Sequence, residues 1–133
     1  MSTYSYDDDK FVNSSLFQDF MNKNSGRGFL KIRAYAASGA IPISNLKIVV
    51  RTKYNSNFII FYEGVTNESG LIDGISLPAP KLNPDNIDAP EAIVYEIVAT
   101  YIPNDETNIY RVNIYENVCV VQTINIVPEM RIL

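Results

Sequence analysis

Histidine and tryptophan are absent from this 133-residue chain, and cysteine occurs once, at Cys119. Without histidine, the commonest general base and the commonest metal ligand are missing together. A single cysteine forms no disulfide within the chain and no thiolate metal cluster, and a cysteine–histidine nucleophile is excluded. Cys119 lies in an apolar run and reads as a small buried hydrophobe. No apolar run has the length of a membrane span. The first ten residues are polar and acidic, with no apolar segment of secretory-signal type. The expectation is therefore no signal peptide and synthesis in the cytoplasm, with export inside a larger assembly left open.

What is present fits one globular domain. Hydrophobic residues make up 47% of the chain and charged residues 20%, well away from the composition of disordered segments. The net charge of −4 hides an asymmetry. Between Phe20 and Tyr62 the charged residues are all cations: Lys23, Arg27, Lys31, Arg33, Lys47, Arg51 and Lys53. Between Glu63 and Asn108 acids dominate, with Lys81 the lone cation. Two solvated faces of opposite sign explain this, and so does complementarity between neighbouring copies.

Residues 1–27 differ from the rest. Tyr4, Tyr6 and Phe11 are scattered among Ser, Asp and Asn and read as an exposed arm. Leu16, Phe17, Phe20 and Met21 fall on one face at helical spacing, with Ser14 or Ser15 as N-cap and Gly26 as stop. From Gly28 the period becomes two. Leu30, Ile32 and Ala34 alternate with Lys31, Arg33 and Tyr35, and similar strands follow at short spacing. Asn55-Ser56-Asn57 reads as a hairpin turn. Asn67, Ser69 and Gly70 supply turn chemistry between Val65 and Leu71. Pro78 ends a strand. Residues 79–92 form a long Pro- and Asp-bearing loop. The pattern predicts an all-β fold, a seven-stranded antiparallel Greek-key sandwich with a short N-terminal helix. Its divisions are an arm and helix at 1–27, the sandwich at 28–128 and a tail at 129–133.

The run Phe58-Ile59-Ile60-Phe61-Tyr62 is apolar on both faces, unlike a strand with one wet side. Either residues 16–21 cover its outer face or another chain does. The first reading is preferred, because a short apolar helix needs a surface to pack on. Candidate interface residues are Tyr4, Tyr6, Phe11, Phe58, Ile59, Ile60, Phe61 and Tyr62. An extended arm, or the tail Met130-Arg131-Ile132-Leu133, could add to a neighbour's sheet edge. Lys47, Arg51 and Lys53 share a strand face and are candidate contacts for an anionic polymer. Nucleic acid fits poorly, since the cations lack interleaved aromatics. Asp85, Asp88 and Glu91 with Asp73 or Asp105 could hold calcium, but no loop has EF-hand spacing and plain solvation of acidic loops is the preferred reading.

The segments FLKIRAYAASGAIPISNLKIVV, FYEGVTNESGLIDGISLPAP, YEIVATYI and VVQTINIVPE, in this order, resemble the transthyretin-like (prealbumin-like, carboxypeptidase-regulatory-like) sandwich. The resemblance spans about residues 28–128 and is nearest to the domain found in clostridial spore cortex-lytic enzymes and its stand-alone relatives. Transthyretin-like hydroxyisourate hydrolases use histidines, so the resemblance does not carry that activity here. Pilin-like isopeptide chemistry also lacks its parts: Ala99 stands where the acid belongs, Lys31 faces outward, and Asn125 is left alone. The resemblance implies a non-enzymatic structural or interaction subunit of a spore or cell-envelope assembly, with no cofactor. Its partners would be further copies or other envelope proteins. The alternative it implies is a peptidoglycan- or carbohydrate-binding accessory module.

Overall fold

The computed structural model describes residues 2–6, 8–86 and 88–127. A three-residue strand β1 (Thr3–Ser5) is followed by helices α1 (Asp9–Val12) and α2 (Ser15–Lys23). Eight more strands follow: β2 (Gly26–Ala36), β3 (Ile41–Pro42), β4 (Lys47–Tyr54), β5 (Asn57–Val65), β6 (Leu71–Ala79), β7 (Ile93–Tyr101), β8 (Glu106–Ile114) and β9 (Cys119–Ile126). One sheet has the order β1-β5-β4-β7-β8. In the second, β6 and β3 pair with successive parts of β2, and β9 pairs with β2 over residues that they already occupy. β9 therefore takes the opposite edge of β2.

The all-β sandwich stands, but the strand count and pairing need correction. Nine strands are present among the described residues where seven were expected. The extra two, β1 and β3, are three and two residues long, too short to show a period. The sheets are also not wholly antiparallel: β1 runs parallel to β5, and β9 parallel to β2. The tail at 129–133 lies outside the described residues.

The period of two builds the core. Leu30, Ile32 and Ala34 of β2, with Leu77 of the neighbouring β6, share one buried cluster with Ile48 and Val50 of β4 and Ile97 and Ala99 of β7 in the other sheet. Buried polar groups are paired. The Thr66 hydroxyl accepts from Leu46 N at 3.0 Å and donates to the Ile43 carbonyl at 2.7 Å, fastening two loops at one end of the sandwich. Among the described residues no buried side-chain polar atom lacks a partner, as close packing of a native interior requires. The turn before β6 uses the chemistry its sequence carries. The Asn67 side-chain oxygen accepts from Ser69 N at 2.9 Å and Leu71 N at 3.0 Å, and Gly70 sits at φ +74°.

Ser14 caps α2 through its hydroxyl, which accepts from Phe17 N at 3.3 Å. The helix stops at Asn24, two residues earlier than the glycine expected to end it. The Asn24 side chain donates to the Phe20 carbonyl at 2.8 Å. Phe20 is buried against Tyr54 and Phe61. The helix thus plugs the gap between the sheets where β5 and β6 run along their edges, and does not lie over the outer face of β5. That outer face keeps Phe58, whose ring carries the Arg51 guanidinium at 4.1 Å.

Candidate functional site

Two bulges, one on each of the strands β5 and β6 beside this gap, shape the surface. On β5, Val50 pairs with Tyr62 while the next residue, Arg51, pairs with Ile60. Phe61 is the extra residue, so Phe61 and Tyr62 both turn toward the space between the sheets. On β6, Leu30 pairs with Ile75 but Ile32 pairs with Ile72. Asp73 and Gly74 there oppose Lys31 alone, and Gly74 takes φ +73°, which glycine adopts without strain. Bulges of this kind re-aim side chains and are found at sheet edges and beside sites.

Between the bulges lies a groove of about 260 Å³. Phe61 and Ile75 are buried side chains that line it, and Tyr62, Asp73 and Gly74 stand along it. The arm and helix form its remaining wall through Tyr6, Phe17 and Met21. Tyr6 stacks on Phe61 at 6.1 Å between ring centroids, and Phe17 stacks on the same ring at 6.5 Å. Backbone pairing sets Tyr6 in place, since its N–H donates to the Ile60 carbonyl at 3.0 Å. Gly64 serves the same site. A side chain there would collide with the Tyr62 ring, which lies across that position.

The polar groups of the groove are Arg27, Asp73, Ser76 and the hydroxyls of Tyr6 and Tyr62. Arg27 is held along β6, donating from Nε to Ser76 Oγ and from Nη2 to the Ser76 carbonyl, each at 3.0 Å. Its Nη1 lies outside these two bonds. Asp73 Oδ1 accepts from Gly74 N at 2.9 Å, and Oδ2 is 4.0 Å from Lys31 Nζ. Burial, with Tyr6 nearby as a smaller influence, pushes the Tyr62 hydroxyl above its ordinary pKa, so it stays a protonated donor at neutral pH. The groove therefore offers flat apolar walls, one fixed cation, one carboxylate and the hydroxyls of Tyr6, Tyr62 and Ser76.

The residues singled out from sequence divide. Tyr6, Phe61 and Tyr62 come together at the groove. Tyr4 and Phe11 stack at 4.7 Å within the arm, and Phe11, Ile59 and Phe61 are buried in the chain's own core. These three therefore cover the sandwich in cis and present little surface to a partner. Phe58 and Ile60 lie half-buried on the other face. Arg51 is drawn away from Lys47 and Lys53: it bonds Glu96 at 3.1 Å, and Glu96 also holds Arg111 at 3.1 Å. The expected row of three free cations is thus two exposed lysines flanking a neutralised arginine. Asp73 belongs to the groove, while Asp105 lies on the β7–β8 turn. Among the described residues no three potential ligands cluster as a metal site. Arg27, Ser76 and Gly64 were missed as site residues. A glycine inside a strand pattern, at Gly64 and Gly74, was the available signal.

No family model matches the chain, and no curated protein matches it. Among solved structures it is similar to 5-hydroxyisourate hydrolase of Klebsiella pneumoniae, at 15% identity and a TM-score of 0.54, over 77% of this chain and 92% of that one. It is also similar to transthyretin of Sparus aurata, at 14% identity and a TM-score of 0.47, over 72% and 89% of the two chains. The fold is transthyretin-like. The expectation of a non-enzymatic structural subunit or wall-binding module is corrected by the first of these. The fold is that of an enzyme in that protein, so it gives no ground for excluding catalysis, and the comparison gives no support for a spore or cell-wall role. Among the described residues no helix is long and apolar enough to cross a membrane.

Proposed function

We propose that this chain binds a small amphipathic molecule in the groove between β5 and β6, one with a single planar ring and an anionic or strongly accepting group. The observation that carries this reading is the pair of bulges converging on one cavity, with Gly64 keeping room for Tyr62. The ring lies against Phe61, Phe17 and Tyr6, where aromatic pairs add about 0.5–1.5 kcal/mol beyond burial. The anionic group faces Arg27, which its bonds to Ser76 hold in place before any ligand arrives. Tyr62 supplies a donor, and Asp73 an acceptor, for the ligand's other polar atoms. A cavity of about 260 Å³ is at the small end of ligand pockets and suits one ring.

The test is an amide-resolved NMR titration with benzoate and 4-hydroxybenzoate as probes. Shifts should concentrate at Tyr6, Phe61, Tyr62, Gly74 and Ser76. Arg27→Gln should weaken benzoate about tenfold, the size of one charge-assisted hydrogen bond. The probe's own signals record any turnover. Shifts scattered over the surface, or unchanged by Arg27→Gln, would sink the reading.

A further inference from the structure

We infer that the groove between β5 and β6 takes a small phosphate monoester, with its ring in the groove and its phosphate on the rim between Arg27 and Lys31. The ligand class rests on the groove being the binding site proposed above, and it narrows the anionic group to a dianion. The cations of β2 set that class. Arg27 bonds to Ser76, and Ser76 stands opposite Phe29 in the register of β2 with β6. The Arg27 guanidinium therefore lies beside Phe29, one two-residue step of about 7 Å from Lys31. Arg33 stands beyond Lys31 on the same outward side of β2, its guanidinium drawn over the Tyr35 ring at 5.2 Å.

Acids do not balance this row. Asp73 is the sole acid in β2, β6 and β9, against the three cations Arg27, Lys31 and Arg33. The excess is two positive charges. A carboxylate ligand neutralises one of them. A phosphate monoester carries a charge of about −1.5 to −2 at neutral pH and three acceptor oxygens, so it matches the excess.

The rim has room for it. Gly74 lies between Asp73 and Ser76, and no atom comes within 4 Å of the place a side chain would take there. A step of about 7 Å between cations suits a phosphate that gives one oxygen to each, at charge-assisted bonds of about 2.8 Å. The Ser76 hydroxyl accepts from Arg27 Nε, which leaves its own proton to donate to a third oxygen. Lys31 Nζ is 4.0 Å from Asp73 Oδ2, longer than a hydrogen bond, and the Asp73 side chain is 73% exposed. That carboxylate can turn to water as the phosphate takes its place beside the ammonium.

Calorimetric and NMR titrations of the full chain with phenyl phosphate, benzoate and inorganic phosphate test this. Phenyl phosphate should bind about tenfold or more tightly than benzoate, the size of one further charge-assisted hydrogen bond. Inorganic phosphate, which lacks the ring, should bind about tenfold more weakly than phenyl phosphate. Lys31→Gln should remove most of the phosphate's advantage and leave benzoate within about twofold, because the carboxylate sits at Arg27. Arg33→Gln, at an exposed position, should cost phenyl phosphate about threefold and benzoate less, and it carries the test if Lys31→Gln does not fold. Phenyl phosphate no tighter than benzoate overturns the inference, as does an advantage that survives both variants. Inorganic phosphate binding as tightly as phenyl phosphate also overturns it. In each of these cases benzoate shifts at Phe61, Tyr62 and Gly74 would keep the groove as a binding site. Silence of those amides toward both ring compounds would remove the groove and the inference together.

Discussion

The Tyr95 hydroxyl donates to the Pro78 carbonyl at 2.6 Å, a bond that crosses from the five-stranded sheet to its partner. Both residues are buried. Tyr95→Phe keeps the ring but leaves the carbonyl without this donor. The expected loss is about 1–3 kcal/mol, read as a lower urea midpoint with an unchanged slope.

The same burial pushes the Tyr95 pKa far above its ordinary value of 10.0. A raised folded-state pKa gives stability that is fully present below the unfolded value and is lost as pH climbs above it. Stability should thus hold to about pH 10 and then fall by up to about 1.4 kcal/mol per pH unit from this group. Denaturation midpoints between pH 8 and 11 would measure it, and Tyr95→Phe should flatten the decline.

Gly64→Ala separates the groove from the fold. The added methyl meets the Tyr62 ring, which must swing off the strand. Benzoate affinity should drop about five- to tenfold, the weight of one hydrogen bond, while thermal stability changes little. Tyr62→Ala should give a similar affinity without further loss when the two are combined. Additive losses would show that Gly64 acts elsewhere.

Ser14→Ala removes the cap of α2 and should cost about 1 kcal/mol. Because Phe20 rides on this helix into the core, exchange should quicken at Phe20 and Met21 before it does in β4. Equal acceleration everywhere would mean that the helix and sandwich open as one unit.

Acid should loosen the same helix. The Tyr54 hydroxyl bonds Asp19, and Lys23 donates to Tyr54 at 3.1 Å and pairs with Asp19 at 3.3 Å. The Tyr54 hydrogen bond, then Lys23, hold the Asp19 carboxyl below its ordinary 3.8. A depressed carboxyl stabilises above its unfolded pKa and ceases to do so as pH falls through the folded one. Helix protection should therefore weaken below about pH 4, and Asp19→Asn should show that weaker protection at neutral pH. The group is exposed, so the effect should be small and confined to α2.

The long strands were legible because each presents alternate residues to a single core, as Leu30, Ile32 and Ala34 do. The helix face at Leu16, Phe17, Phe20 and Met21 was legible for the same reason at a different period. Where that helix packs was not: its apolar face fits the outside of a sheet and the gap between two sheets equally well. The groove was hidden more deeply. A bulge adds one residue to a strand without altering its composition, so Phe58–Tyr62 read as a flat apolar run when Tyr62 had been turned inward. Arg27 read as one of several wet-face cations, and only the register of β2 with β6 brings it to Ser76. The parallel partner of β2 lay at the far end of the chain, beyond any local signal.

That last pairing has a consequence for synthesis. Among the described strands β9 is the last to leave the ribosome, and β2 is the first long one. Phe29 must wait for Cys119 before this edge of β2 is closed. Local hairpins such as β4–β5 can form as they emerge, but the pairing of β2 with β9 must wait until β9 has emerged. Such distant pairings fold slowly, and during that interval a bare edge of β2 is open to whatever strand arrives first.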